Sequence, residues 1–351
     1  MNKKIILLSP GNNVHTVNVS SSLIRIGFEV HVLSLHDFID GYDYKVKKVK
    51  IPFSAPLGYL LGYRFINAYS KVNNIKMLNA HYATGYGLLG SLSSCKNKVI
   101  SVWGSDVYLF PEKSILHKFF IKYIFKKYKR VLSTSNDMAK VTRKYTDKEI
   151  YITPFAIHNK FLDMSRDLNL VNSHFIIGST KNFDVKYGVD ILIRAYAVLL
   201  KKLTIPSKLV LIGDGKEKSN LYSLVNNLNI SEHVEFVGKL PHSEIVKFID
   251  RFDIYAILSR SESYGVSALE ASARGIPIIS SNVGGLPEVV RDSITGDLVD
   301  INDIDQIVNT MKELVMDDSR RRKYSINGPK FVLKNYSSKA MDESFKKAMN
   351  L

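Results

Sequence analysis

Short, continuously apolar runs recur along this chain, and stretches of helical spacing fall between them. In the first half the runs are Lys4–Ser9, Val30–Ser34, Lys76–Asn79, Lys98–Trp103, Arg130–Ser135 and Ile150–Thr153, with a helix predicted over Val14–Ile26. In the second half they are Phe175–Ser179, Lys208–Ile212, Val234–Val237, Ile254–Leu258 and Pro277–Ser280. Helical patterns over Val189–Lys202, Glu217–Leu228, Ser243–Ile249 and Val266–Arg274 separate these. A strand that is apolar throughout must be covered on both faces, and parallel strands need a long crossover, usually a helix. Two such series predict an α/β chain of two doubly wound, Rossmann-like domains.

The length of 351 residues suits two or three domains. We place the first at residues 1–160 and the second at 161–330. The hinge is expected near 155–173, where the polar stretch Ser165–Ser173 follows Pro154–Asn159. Residues 331–351 read as a C-terminal helix expected to pack back on the first domain. The helical pattern of Ser325–Leu351 is broken at Gly328-Pro329.

Several classes are excluded early. The apolar run near the start, Ile5–Leu8, is too short for a signal core and reads as a first buried strand. Nowhere do about 18 apolar residues run together, so no spanning helix is expected. The single cysteine, Cys95, rules out an internal disulfide or a multi-cysteine metal site. A cytoplasmic protein is expected, with peripheral contact at the inner face of the cell membrane left open.

The formal net charge of +16 is uneven. Residues 1–160 hold 24 Lys and Arg against 9 Asp and Glu, whereas residues 161–351 hold 25 against 24. Such asymmetry points to a polyanionic partner on the first half: an anionic membrane surface, an acidic substrate or nucleic acid. A lysine-rich, solubilising surface is the plainer reading. Nucleic acid is disfavoured, because no RNA- or DNA-binding module is visible.

The most informative stretch is Ser261-Glu262-Ser263-Tyr264-Gly265-Val266-Ser267-Ala268-Leu269-Glu270-Ala271-Ser272-Ala273-Arg274-Gly275-Ile276-Pro277, which follows the strand Ile254–Leu258. Gly265 permits a tight strand-to-helix turn. The helix stops at the Gly-x-Pro signal. Glu262 then stands before the helix and Glu270 about one turn inside it. The free N–H groups and dipole of the helix start suit phosphate, and a neighbouring carboxylate can accept hydrogen bonds from sugar hydroxyls. Either glutamate alone is as well explained as a surface or helix-start residue. Their spacing, with Gly265, Gly275 and Pro277 in register and Asn282-Val283-Gly284-Gly285-Leu286-Pro287-Glu288 following, is not.

These residues resemble a known family, the GT-B-fold retaining glycosyltransferases of family 4 (glycosyl transferases group 1), of the bacterial polysaccharide type. The likeness rests on Glu262…Glu270, Gly275-Ile276-Pro277 and Gly284-Gly285-Leu286-Pro287-Glu288. It extends through Ile212-Gly213-Asp214-Gly215, Val234–Gly238 and Tyr187-Gly188-Val189-Asp190. The resemblance implies two domains facing a central cleft. It implies that Glu270 holds the nucleotide ribose, and that Glu262 binds the donor sugar and steadies positive charge at its anomeric carbon. Backbone N–H groups near Gly265 and Val266 would hold the diphosphate, and residues around Gly238 would meet the base.

One departure concerns the phosphate cations. Family members often place Arg after a glycine and Lys-Gly a few residues on. Here Ser179 stands at the Arg position, and Tyr187 precedes Gly188. Lys181 and Lys186 are the replacements, Lys181 favoured because it directly follows a strand. On the first half, the Gly11 loop would face the diphosphate, and His81 and Asp106 are the candidate polar groups near the acceptor hydroxyl. The family often has His where Trp103 stands. No metal-ligand spacing occurs, so neither metal nor cofactor is expected beyond a nucleoside-diphosphate-sugar donor.

Between Lys113 and Arg130, Ile115, Leu116, Phe119, Phe120, Tyr123 and Ile124 follow helical spacing beside Lys118, Lys122 and Lys126. This basic amphipathic helix either docks on anionic lipid or is a core-facing helix with a solvated lysine edge. The expected function is sugar transfer to a saccharide or lipid-linked saccharide in surface polysaccharide synthesis. The alternatives are a GT-B nucleotide-sugar epimerase and a non-catalytic polyanion-binding protein.

Overall fold

The computed structural model describes residues 3–163 and 173–350. Most of the polar stretch predicted at the hinge, Ser165–Ser173, lies outside the described residues. The chain divides into two units: Met1–Ala156 with Ser338–Leu351, and Ile157–Ser337.

The first unit is built on seven strands: β1 (Lys3–Leu8), β2 (Phe28–Ser34), β3 (Lys47–Lys50), β4 (Met77–His81), β5 (Asn97–Val102), β6 (Arg130–Ser133) and β7 (Ile150–Ile152). Their order is β3-β2-β1-β4-β5-β6-β7, and every pairing is parallel. Ile5–Leu8 of the interior strand β1 are fully buried, which is why that run is apolar without interruption. Edge strand β3, Lys47-Lys48-Val49-Lys50, was not legible from periodicity. Its lysines are mostly exposed, and such charge blunts an open sheet edge against pairing with another chain. Lys47 pairs with Glu29 at 2.6 Å, and Lys50 with Asp37 at 2.6 Å.

The second unit carries β8 (Phe175–Thr180), β9 (Ser207–Ile212), β10 (Val234–Gly238), β11 (Ile254–Ile257), β12 (Ile278–Ser281) and β13 (Gly296–Val299). They form an all-parallel sheet in the order β10-β9-β8-β11-β12-β13. The helix Val189–Leu200 buries Leu192, Ile193, Tyr196 and Leu199 along one stripe, as its spacing requires. Each such side chain contributes roughly 1.5–3 kcal/mol by leaving water. Both units are therefore doubly wound α/β folds.

The tail corrects one expectation. The helix Asp318–Tyr336 runs unbroken through Gly328 and Pro329. Proline removes one helical hydrogen bond, that to the carbonyl four residues back. Gly328 packs so closely on the helix Val266–Ala273 that a Cβ there would lie 2.8 Å from the Ser272 carbonyl oxygen. Close packing outweighs the local breaker signal. The chain turns instead at Ser337, and the last helix, Ser338–Met349, belongs to the first unit. There Asp342 accepts hydrogen bonds from Ser22 Oγ at 2.6 Å and from Arg25 Nε and Nη2 at 2.8 Å each. Met341 and Phe345 of this helix are buried.

Candidate active site

In a doubly wound sheet, ligands meet the carboxyl ends of strands where the strand order reverses. In the second sheet that point lies between β8 and β11, since β8 continues to β9 on its other side. Lys181 directly follows β8, and Glu262 lies in the loop after β11. The structure brings these two together: Lys181 Nζ stands 2.5 Å from Glu262 Oε2, with side chains only 10% and 12% exposed. Burial opposes the charge on Lys181, but the facing Glu262 carboxylate more than offsets it, and the ammonium is held above its ordinary range. The site thus holds a cation and an anion in contact before any ligand arrives.

Two glycine motifs explain how this pair is held. A Cβ on Gly284 would sit 2.0 Å from the Glu262 carbonyl oxygen, and its φ is +55°. Only glycine lets the turn Asn282–Gly285 lie under the Glu262 backbone, where Gly285 N donates to Glu262 O at 2.9 Å. Likewise a Cβ on Gly213 would meet the Lys181 carbonyl oxygen at 1.9 Å. Lys181 N donates to Ile212 O at 3.0 Å, which seats the lysine at the end of its strand.

Glu262 leads into the helix Val266–Ala273, capped by Gly265 at φ +91° with no side-chain cap. The backbone N–H groups of its first turn, Val266 among them, have no partner within the helix. Glu270, 5% exposed, points its carboxylate at a residue that sequence reasoning missed. His242 Nε2 lies 2.6 Å from Glu270 Oε1. The only sequence signal was position, since His242 follows the Val237–Leu240 segment read as base-contacting. Gly238 ends β10 at φ +88°, and its carbonyl accepts from Gly213 N at 3.0 Å. Lys186 is exposed, its Nζ 4.6 Å from the Tyr187 ring centroid.

The His242–Glu270 contact has a pH signature. The hydrogen bond to Glu270, ahead of the opposing burial, raises the imidazole above its ordinary value. A raised folded-state pKa means stabilisation that is complete below the unfolded value and lost as pH rises through the folded one. Replacing His242 with Gln should therefore flatten the stability–pH profile between about pH 6 and 8. Urea midpoints across that window measure it, and an unchanged slope would count against the ion pair.

In the first unit the structure shows how the three candidate residues are held. Gly11 N donates to Ser34 Oγ at 2.8 Å, and Gly11 O accepts from Tyr42 Oη at 2.9 Å. The Gly11 amide is thus committed within its own unit, and Asn12 is the exposed part of that loop. His81 is fully buried, with Nδ1 2.8 Å from Ser9 Oγ and Nε2 3.1 Å from Asn79 Oδ1. Burial, with His15 nearby, keeps it neutral by pulling its pKa well down. Asp106 accepts N–H bonds from Ala83 at 2.8 Å, Gly104 at 2.9 Å and Trp103 at 3.2 Å. Its burial raises the carboxyl pKa, with these amides opposing. Asp106 thus fastens the loops after β4 and β5, and His81 ties the end of β4 to the residue after β1. Around Trp103 lies an aromatic group that sequence reasoning missed: His81 at 4.2 Å, Tyr82 at 5.0 Å and Phe155 at 5.3 Å between ring centroids.

The helix Ile115–Lys126 divides its apolar residues. Ile121, Ile124 and Phe125 are buried, whereas Ile115, Leu116, Phe119 and Tyr123 are 68%, 74%, 63% and 47% exposed. Ile124 thus leaves the predicted stripe for the core. Lys122 and Lys126 are exposed beside the remainder, and Lys118 pairs with Glu112 at 3.2 Å. A helix that only faced the core would not leave four large apolar side chains in water. Among the described residues no helix is long and apolar enough to cross a membrane, and no group of three or more His, Cys, Asp or Glu is placed to hold a metal ion.

Comparison with known proteins agrees along the chain. Residues 161–331 match the model of the glycosyl transferases group 1, and residues 4–135 that of the glycosyl transferase 4-like family. A glycosyltransferase of Methanocaldococcus jannaschii is 29% identical over 357 residues, covering 92% of this chain and 90% of that protein. Sucrose-phosphate synthase from Thermosynechococcus elongatus superposes with a TM-score of 0.81 at 19% identity, covering 99% of this chain and 98% of that one. Anabaena HepE, solved in complex with UDP and glucose, gives a TM-score of 0.77 at 16% identity and covers 99% of both chains. The fold is GT-B.

Proposed function

We propose that the chain, matched over residues 161–331 by the glycosyl transferases group 1 model and over 4–135 by the glycosyl transferase 4-like model, moves a sugar from a nucleoside diphosphate to a saccharide or lipid-linked saccharide with retention of configuration. The observation that carries this reading is the Lys181–Glu262 pair at the switch point of the second sheet, beside the uncapped helix start at Gly265. As the donor's anomeric C–O bond breaks, negative charge collects on the diphosphate and positive charge on the sugar. Lys181 and the amides of Val266 and its neighbours meet the first, and Glu262 meets the second. Groups fixed in place before the reaction lower the barrier by stabilising charge only as it develops. The acceptor oxygen bonds to the anomeric carbon on the face the phosphate leaves, and the acceptor proton passes to the leaving diphosphate. No protein base is then required, which suits a first unit whose His81 and Asp106 are occupied by their neighbours.

Glu270 would bind the ribose hydroxyls, exchanging its bond to His242 for theirs. The UDP in the Anabaena HepE complex supports a nucleoside-diphosphate leaving group. Incubation with UDP-, GDP- and dTDP-sugars tests the reading. Donor hydrolysis or transfer is expected from one of them. Release of an epimerised nucleotide sugar without any acceptor would point to an epimerase, and absence of turnover and binding with all three would overturn it.

The exposed stripe on Ile115–Lys126 supports docking on an anionic membrane, where a lipid-linked acceptor would lie. Each lysine near the headgroups adds on the order of 1 kcal/mol, and the apolar side chains add burial. Sedimentation with phosphatidylserine-containing vesicles should exceed that with neutral ones and fall with salt. Leu116→Ser with Phe119→Ser should weaken it by at least about tenfold. Equal, salt-insensitive binding to both vesicle types would sink the docking.

A further inference from the structure

The departure from the family pattern at Tyr187 has a visible counterpart. Lys181 Nζ lies 5.0 Å and Lys186 Nζ 4.6 Å from the centroid of the one Tyr187 ring. The turn that carries Tyr187 is fastened to the Glu262 loop, because the Lys186 carbonyl accepts from Arg260 N at 2.8 Å and Ser261 N at 3.2 Å. Gly188 presses the same turn onto strand β11's exit, with the site of its missing Cβ 1.9 Å from the Leu258 carbonyl oxygen. Two ammonium groups held this near one another repel. An aromatic ring attracts each through its quadrupole. A carboxylate in that place would neutralise one of them, whereas the ring is neutral and leaves their charge available. With Glu262 counted, the two lysines leave a surplus of one positive charge around the Tyr187 ring.

We propose that Tyr187 is a positioning residue for the donor's diphosphate: its ring gathers Lys181 and Lys186 into one cation pair that meets the phosphates. The inference rests on the reading of the site as a nucleoside-diphosphate-sugar site, and it adds the residue that replaces the family's Arg-and-Lys arrangement here. Tyr187 itself touches the lysines, and it acts on the ligand through them.

Calorimetry on the full chain with UDP, GDP, dTDP and their parent nucleosides tests it. For the diphosphate that the wild type binds, Tyr187→Leu should weaken binding by about 2–30-fold. Binding of the parent nucleoside should stay within about twofold of wild type, since the ring serves only the phosphates. Tyr187→Phe keeps the ring and should behave as wild type. In turnover, Tyr187→Leu should raise donor KM more than it lowers kcat. Lys186→Gln should lose a similar increment, and the double variant should lose less than the two effects combined. Wild-type diphosphate affinity in Tyr187→Leu would overturn the proposal. Equal loss of diphosphate and nucleoside would overturn it too, by showing a merely structural role. A wild type that binds none of the three diphosphates would overturn the donor reading itself, and this proposal with it.

Discussion

Glu262→Gln is expected to reduce kcat by about 10²–10³-fold while leaving the fold intact, the range found when one preorganised electrostatic group is lost. The amide is nearly isosteric, so packing against the Asn282–Gly285 turn survives. What disappears is the negative charge proposed to face the developing cation on the sugar. A second consequence follows from the Lys181 contact. Burial pulls the Lys181 ammonium down, and Glu262 is the principal group that holds it up. Without that carboxylate Lys181 loses its proton at lower pH, so the alkaline limb of the pH–rate profile should move toward neutrality. Donor KM should change less than kcat, since the charge is needed most in the transition state. Steady-state turnover of the accepted nucleotide sugar between about pH 6 and 10 measures both effects. A kcat within twofold of wild type would remove Glu262 from the chemistry.

Arg274→Met should destabilise the second unit by about 3–5 kcal/mol. Arg274 caps the helix that carries Glu270, and its guanidinium donates from Nε at 2.6 Å and from Nη2 at 2.9 Å to the two oxygens of Asp250. The arginine side chain is 3% exposed, so its removal strands a largely buried carboxylate. Asp250 caps the helix His242–Ile249, so this ion pair also fixes the element bearing His242 against the element bearing Glu270. For a unit of this size each kcal/mol moves the melting temperature by roughly 2–4 °C. The double variant Arg274→Met, Asp250→Leu should recover much of the loss, because replacing both charges removes the orphan. Chemical denaturation of the wild type, both single variants and the double variant checks this. A double variant no more stable than Arg274→Met would show that the pair is not the source of the effect.

The strands were legible where burial demands it. β1 and β8 lie inside their sheets, are covered on both faces and therefore carry the apolar runs Ile5–Leu8 and Phe175–Ile177. Two of the four edge strands escaped, whereas β7 and β10 were legible. β3 is Lys47-Lys48-Val49-Lys50, and β13 is Gly296-Asp297-Leu298-Val299. A strand with one neighbour pairs through its backbone and need not be apolar, and in these two, lysines or a Gly-Asp pair interrupt the apolar run. The helix through Pro329 escaped for a related reason. Local propensity is worth a few kcal/mol at most, and packing along Val266–Ala273 exceeds it.

By itself the sequence determined the two parallel sheets, the helix start at Gly265, and the spacing of Glu262 and Glu270 around it. Each of these follows from nearby residues, whether by hydrophobic run, glycine backbone freedom or helical rise. Only the tertiary structure decided which charges meet. Lys181 and Glu262 are far apart in sequence and touch because β8 and β11 are neighbours across the reversal in strand order. His242 reaches Glu270, and Tyr187 gathers two lysines, for the same kind of reason. In the first unit tertiary contacts likewise join His81 to Ser9 and Asp106 to the Ala83 amide. An ionic or aromatic contact depends on distances of a few ångströms between elements, and no one-dimensional spacing encodes those.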